Sequence, residues 1–176
     1  MLPHRGRGAG GYEPVNESCG ISYRTSIKRK GVFHLIALGC DHGGYALMQE
    51  VKEHLKGQGI KFKDFGTDSP VPTDYPIYAK KVAKAVASGR CEKGILICGT
   101  GIGISITANK FKGIRCALCH DVFSAEATRL HNDANVLAMG GRVVGPGLAL
   151  KIVDTFLATP FSGEERHVKR ISQIED

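Results

Sequence analysis

The sequence predicts an α/β protein with a five-stranded parallel sheet covered by helices on both faces. Short apolar runs alternate with helical patterns from about Val32 to the C-terminus, the rhythm of strands joined by crossover helices. Some of these runs are apolar at consecutive positions, as in Ile95-Leu96-Ile97 and Ala117-Leu118. Such strands need cover on both faces, which parallel sheets receive from their own connections.

The elements follow in order. Val32 to Gly39 is the first strand, and Tyr45, Leu47, Met48, Val51 and Leu55 then recur at helical spacing, with Lys52, Glu53 and Lys56 opposite them. Gly57 and Gly59 end that helix. Ile60 to Phe65 is a second strand, and Pro76 to Ser88 a helix opened by Asp74 and closed by Gly89. Gly94 to Cys98 is a strand and Ile102 to Lys110 a helix. Ile114 to Cys119, Val122 to Leu130, Asn135 to Met139 and Val143 to Leu157 continue as strand, helix, strand, helix, and a polar helix spans Gly163 to Ile174. Ligands of open α/β sheets bind outside the carboxyl ends of the strands, here the turns after Gly39, Cys98, Cys119 and Met139.

Composition narrows the function classes. The 176 residues are 42% hydrophobic and 23% charged, with 23 glycines and no tryptophan, which excludes a disordered chain, a collagen and a coiled coil. Of the net charge of +7, residues 1–33 hold +4, from six Arg/Lys against Glu13 and Glu17, so the main body has no surplus that calls for nucleic acid. Residues 1–32 read as a disordered basic extension, a gene-start artefact in preference to a transit sequence or a flexible arm, and residues 33–176 as one domain. The uncharged run from Gly94 to Ala108 is too short and too rich in Gly and Thr to cross a bilayer, so a cytoplasmic protein without membrane partners is expected. The six cysteines (Cys19, Cys40, Cys91, Cys98, Cys116, Cys119) read as reduced.

Three turns could carry chemistry. Gly39-Cys40-Asp41-His42-Gly43-Gly44 puts a carboxylate and an imidazole at a strand end; either the pair faces a ligand, or Asp41 caps the next helix and His42 is merely exposed. Cys98-Gly99-Thr100-Gly101-Ile102-Gly103 leads a thiol into a glycine turn and a helix, an arrangement that offers N–H groups to a phosphate or an enediolate and favours a thiolate. The other reading is a structural cysteine beside a tight turn. His131-Asn132-Asp133-Ala134-Asn135 can hold an imidazole for acid–base work or can be turn and cap residues. Arg142 follows the last strand, and Arg166 and Arg170 share one face of the terminal helix beside His167, as a phosphate grip or a solvated basic face.

Other motifs fall short. The glycine loop is not a dinucleotide fingerprint, although Asp121 lies about 20 residues on, because Ile104 stands where the third glycine belongs. No Gly-Lys-Ser/Thr follows a glycine loop, so a P-loop is excluded. Cys116-Ala117-Leu118-Cys119-His120 matches the haem-attachment pattern only formally, being an apolar strand, and no Cys/His pair has zinc spacing to accompany it.

Taken together, Gly39-Cys40-Asp41-His42-Gly43-Gly44, Thr73-Asp74-Tyr75-Pro76, Ile97-Cys98-Gly99-Thr100-Gly101-Ile102-Gly103, His131-Asn132-Asp133-Ala134-Asn135 and Gly141-Arg142-Val143-Val144-Gly145 resemble the ribose-5-phosphate isomerase B family, which includes galactose-6-phosphate isomerase subunits. The resemblance starts at about residue 33. It implies a Rossmann-like three-layer α/β/α sandwich and a homodimer, or a dimer of dimers, with active sites between subunits. It also implies Cys98 as the base moving a proton between C2 and C1 of an open-chain sugar, and His131 in ring opening. Asp41, His42, Tyr75 and Asn132 would contact sugar hydroxyls, the amides of Gly99, Thr100, Gly101, Ile102 and Gly103 the enediolate, and Arg142, Arg166 and Arg170 the phosphate. Some relatives use a carboxylate from the helix after the glycine loop, but here that helix has no acid between Gly103 and Lys110.

Such chemistry calls for no metal or redox cofactor. Ribose 5-phosphate is the expected substrate, with allose or galactose 6-phosphate as six-carbon alternatives. Two other classes stay open: a dinucleotide-binding oxidoreductase, against which Ile104 argues, and a non-catalytic sugar-phosphate sensor or assembly subunit, against which Cys98 and His131 argue.

Overall fold

Alternate strand positions of this chain serve two helical layers. In the computed structural model, which describes residues 35–176, β1 is Ile36–Cys40, α1 Tyr45–Gly57, β2 Phe62–Asp64, α2 Tyr75–Ala87, β3 Lys93–Cys98, α3 Ile102–Ala108, β4 Cys116–Leu118, α4 Val122–Asn132, β5 Val136–Gly140, α5 Pro146–Ala158 and α6 Glu165–Glu175. Ile36, Leu38, Ile95, Ile97, Leu137 and Met139 pack with Met48, Val51 and Leu55 of α1 and Ile152 and Phe156 of α5. Ala37, Leu96, Cys98, Val136 and Ala138 pack with Val82 and Ala83 of α2 and Ile104 and Ala108 of α3. The period of two along each strand thus separates two apolar cores, and a fully buried aliphatic side chain contributes roughly 1.5–3 kcal/mol to either.

All strand pairs are parallel and the order is β2-β1-β3-β5-β4, as the fold class read from the sequence requires. After β1 the chain moves outward to β2, and after β2 it crosses back to β3, so a crevice opens between the carboxyl ends of β1 and β3. A second reversal follows β4, the far edge, from which α4 leads back inward to β5. Running antiparallel to its strands, α4 starts at the carboxyl end of the sheet and stops at the amino end.

Several boundaries differ from the sequence reading. The extension assigned to residues 1–32 and the first residues of the strand expected from Val32 lie outside the described residues, and β1 continues one residue beyond Gly39. The edge strands β2 and β4 are three residues each, since each pairs on one side only. The helix expected from Val143 begins at Pro146, because Val143 and Val144 turn back to the Gly140 carbonyl and a proline suits a first helical position. His131 and Asn132, expected in a turn, are the last residues of α4. The five cysteines among the described residues are all free, and no helix there is long and apolar enough to cross a membrane.

Candidate active site

Three turns meet at the crevice. Asp41 follows β1, and its Oδ1 accepts the N–H groups of Gly43 and Gly44 at 2.9 and 3.1 Å, so this carboxylate holds the turn ahead of α1, whose N-cap is Gly44 with no side-chain cap, while Oδ2 has no hydrogen bond among the described residues. A Cβ on Gly43 would stand 2.9 Å from the Gly99 nitrogen, which is how closely the first turn abuts the glycine turn after β3. The Gly141 N–H donates to the Cys98 carbonyl at 2.8 Å and that of Arg142 to the Gly99 carbonyl at 3.0 Å, joining the turn after β5 to the same place.

His42 is held in one orientation. Its Nδ1 lies 3.1 Å from the Thr73 nitrogen and 3.2 Å from the Thr73 carbonyl oxygen, so it accepts from the one or donates to the other, and the Thr73 backbone orients the ring in either tautomer. Thr73 is fixed in turn, its hydroxyl lying 3.0 Å from that of Tyr78 on α2.

Cys98 ends β3 with 4% of its surface exposed, and its Sγ accepts the Gly101 N–H at 3.1 Å. Gly101 has φ +78°, a conformation that glycine adopts without strain, and it aims this N–H back at the sulfur while opening α3. The other described thiols pack in the protein interior or at its edges. Burial, with help from Asp64, pushes Cys40 up to about 12, burial with Asp121 pushes Cys119 to about 11, and burial raises Cys91 and Cys116. Those four remain neutral packing groups.

The rim of the crevice is polar and partly aromatic. The Tyr75 ring lies over Gly103, 2.5 Å from where a Cβ would stand, and the Arg142 guanidinium flanks Gly99, its Nε 3.6 Å from the corresponding point. Thr100 Oγ1 accepts the Ile102 N–H at 3.3 Å, and Ile102 itself is half exposed. A thiol, a carboxylate oxygen, an imidazole, a phenol and a guanidinium thus surround a turn of backbone amides.

The remaining predicted residues form a second cluster at the opposite end of the sheet. His131 and Asn132 close α4 just before β5, and Val136 and Gly140, the ends of β5, are separated by about 13 Å at ~3.3 Å per residue. Cys98 pairs with Gly140, at the far end. The His131 ring stacks on that of His167 at 4.5 Å and 12°. His167 is buried to 4% exposure and its Nε2 has no hydrogen-bond partner among the described residues, a Glu164 carboxylate oxygen lying 4.0 Å away; burial first, then the charges of His131 and Arg166, hold its pKa down against the opposing pull of Glu164. Arg166 and Arg170 are exposed on α6, and Arg166 Nε lies 2.8 Å from a Glu164 carboxylate oxygen.

The structure therefore gathers Asp41, His42, Tyr75, Cys98, the Gly99 to Gly103 turn and Arg142 at one end, and His131, Asn132, Arg166 and Arg170 toward the other. Sequence reasoning missed the clamp of Thr73 on His42, a backbone contact with no residue-type signal, and the burial of His167, the one buried residue of α6. Asp121 is occupied in capping α4, accepting the Ser124 N–H and hydroxyl at 2.7 and 2.8 Å, which lowers its pKa and removes it as a dinucleotide acid. No cluster with metal-ligating composition occurs among the described residues.

Comparison with known proteins gives a consistent result. Residues 36–174 match the family described as Ribose/Galactose Isomerase. Over 139 residues the chain is 53% identical to ribose-5-phosphate isomerase B of Escherichia coli, covering 79% of this chain and 93% of that protein. It is 42% identical over 142 residues to the galactose-6-phosphate isomerase subunit LacB of Clostridium acetobutylicum, covering 81% and 82%. The solved structure of Clostridium thermocellum ribose-5-phosphate isomerase B superposes with a TM-score of 0.79 at 52% identity, covering 80% of this chain and 95% of that one.

Proposed function

The chain belongs to the ribose/galactose isomerase family of sugar-phosphate isomerases, and from that premise we propose that it interconverts ribose 5-phosphate and ribulose 5-phosphate through a cis-enediolate. The Cys98 thiolate takes the C2 proton of the open-chain aldose and the electron pair moves onto the C1 carbonyl oxygen; the O2 hydroxyl proton then passes to O1, and Cys98 returns its proton at C1 as C2 becomes the ketone carbonyl. Amides of the Gly99 to Gly103 turn stabilise the enediolate oxygen, a charge that exists only along the reaction path. Asp41, His42 and Tyr75 orient the hydroxyls, and Arg142 faces the phosphate. The observation that carries the reading is the Cys98 Sγ at the end of β3, hydrogen-bonded at 3.1 Å to the amide turn it would serve.

Ring opening needs a proton delivered to the ring oxygen, and His131 supplies it with Asn132 beside it. The phosphate is completed by Arg166 and Arg170. Since these residues stand at the other end of the sheet from Cys98, the reading includes a second copy of the chain, whose α4 terminus and α6 complete each crevice. Exposed Val168 and Ile174 on α6, at 50% and 61%, suit such an interface. A charged sugar phosphate does not cross a bilayer, which keeps enzyme and substrate in the cytoplasm on this reading.

The six-carbon alternative rests on the LacB relative. Assays of ribose 5-phosphate, allose 6-phosphate and galactose 6-phosphate side by side decide it. The highest kcat/KM on ribose 5-phosphate is expected, and a preference of tenfold or so for a hexose 6-phosphate would overturn that choice.

A further inference from the structure

The end of α4 carries more bonding than a helix terminus requires. Asp133, directly after Asn132, is the one non-glycine residue among those described with positive φ, at 45°, a left-handed conformation that neighbours must hold in place. Arg115, from the loop before β4, does so. Its Nε donates to the Asn132 and Asp133 carbonyls at 2.9 and 3.2 Å, and its Nη2 to the Asp133 carbonyl and Oδ2 at 2.9 and 3.2 Å. Arg129, one turn back along α4, holds the other carboxylate oxygen, Oδ1, at 2.7 Å.

The fifth contact reaches another element. Arg115 Nη1 donates to Glu175 Oε1 at 2.6 Å, at the end of α6, and Glu175 Oε2 accepts the Gly113 N–H at 3.2 Å. Near the start of α6, His167 stacks on His131. Helix α6 is thus fastened to the end of α4 at two points, on either side of Asn132, and one guanidinium makes the second of them.

We infer that Arg115 is a positioning residue for His131: by locking the left-handed Asp133 and the end of α6 together, it fixes His131 against His167 in the orientation that proton delivery needs. This rests on the ring-opening role given to His131 above. Arg115 touches no reacting atom, so its effect passes through His131 and disappears when His131 is gone.

A double-mutant cycle reads this directly. With ribose 5-phosphate, Arg115→Met is expected to lower kcat about thirtyfold with KM changed less than about threefold, and His131→Ala about a hundredfold. The double variant should fall no more than about twofold below His131→Ala alone. Multiplied losses in the double variant, or a normal kcat in Arg115→Met, would overturn the inference, because purely structural damage adds to the loss of His131. Should Arg115→Met not fold, Asp133→Asn replaces it, since asparagine tolerates the left-handed conformation and removes the charge both arginines hold. Its loss of kcat, about fivefold, must vanish in the His131→Ala background in the same way. An active His131→Ala chain would instead sink the role of His131 itself, and this inference with it.

Discussion

The two ends of the sheet are built by different means. At the carboxyl end, the crevice is made of backbone: Asp41 bonds to amides two and three residues on, Cys98 to the amide three residues on, and the Gly140-Gly141-Arg142 turn to the Cys98 and Gly99 carbonyls. At the amino end, the second cluster is held mainly by side chains from distant positions, Arg115 to Glu175 and Arg129 to the Thr159 carbonyl, with His131 against His167. The bonds of Asp41 and Cys98 fix their turns as soon as strand and helix form and the turn after β5 joins them once β5 pairs with β3, whereas the side-chain network needs the chain in place as far as α6. Damage at the first end should appear in the chemistry alone, and damage at the second in the chemistry and also in stability or its pH dependence.

The largest effect expected is at the first end. Cys98→Ala should lower kcat about a thousandfold, with KM and thermal midpoint little changed, in a coupled isomerase assay and a melting curve. A large fall in midpoint without loss of turnover would reverse the comparison. At the second end, Arg129→Met leaves the Ala134 and Thr159 carbonyls without the guanidinium that bonds them. It should cost about 3 kcal/mol of stability by denaturant titration.

The smallest effect is a pH dependence. The folded-state pKa of His167 lies below its ordinary 6.5, with burial the first cause, so the unfolded chain binds the proton more readily. Stability from this group is complete above about pH 6.5 and declines as the pH falls through that value toward the lower folded pKa. Between pH 7.5 and pH 5.5 the midpoint of His167→Phe should therefore fall less than that of the parent chain. Parallel curves would show that His167 titrates alike in both states.

This division also explains what could be read from the sequence. Ile95-Leu96-Ile97 announces a strand covered on both faces, and Leu47, Met48, Val51 and Leu55 a helix, because burial imposes those periods directly. The Asp41, Cys98 and glycine-turn residues are legible because their side-chain bonds fall within three residues along the chain. Val143 and Val144 misled, since apolar residues in a tight turn look like the start of a helix until Pro146 sets its first residue. Arg115 and Glu175, sixty positions apart, carry no shared pattern, and nothing in their spacing says that they meet across the end of α4.

The central claim is that the two ends belong to one site through two copies of the chain. It is tested by refolding a Cys98→Ala chain together with an Arg166→Ala/Arg170→Ala chain, each nearly inactive alone. In a mixed dimer one of the two crevices would hold an intact thiol and intact guanidinium groups, so an equal mixture should recover about a quarter of the parent activity. Mixed dimers with no more activity than either parent would contradict it, because each crevice would then draw on its own chain alone.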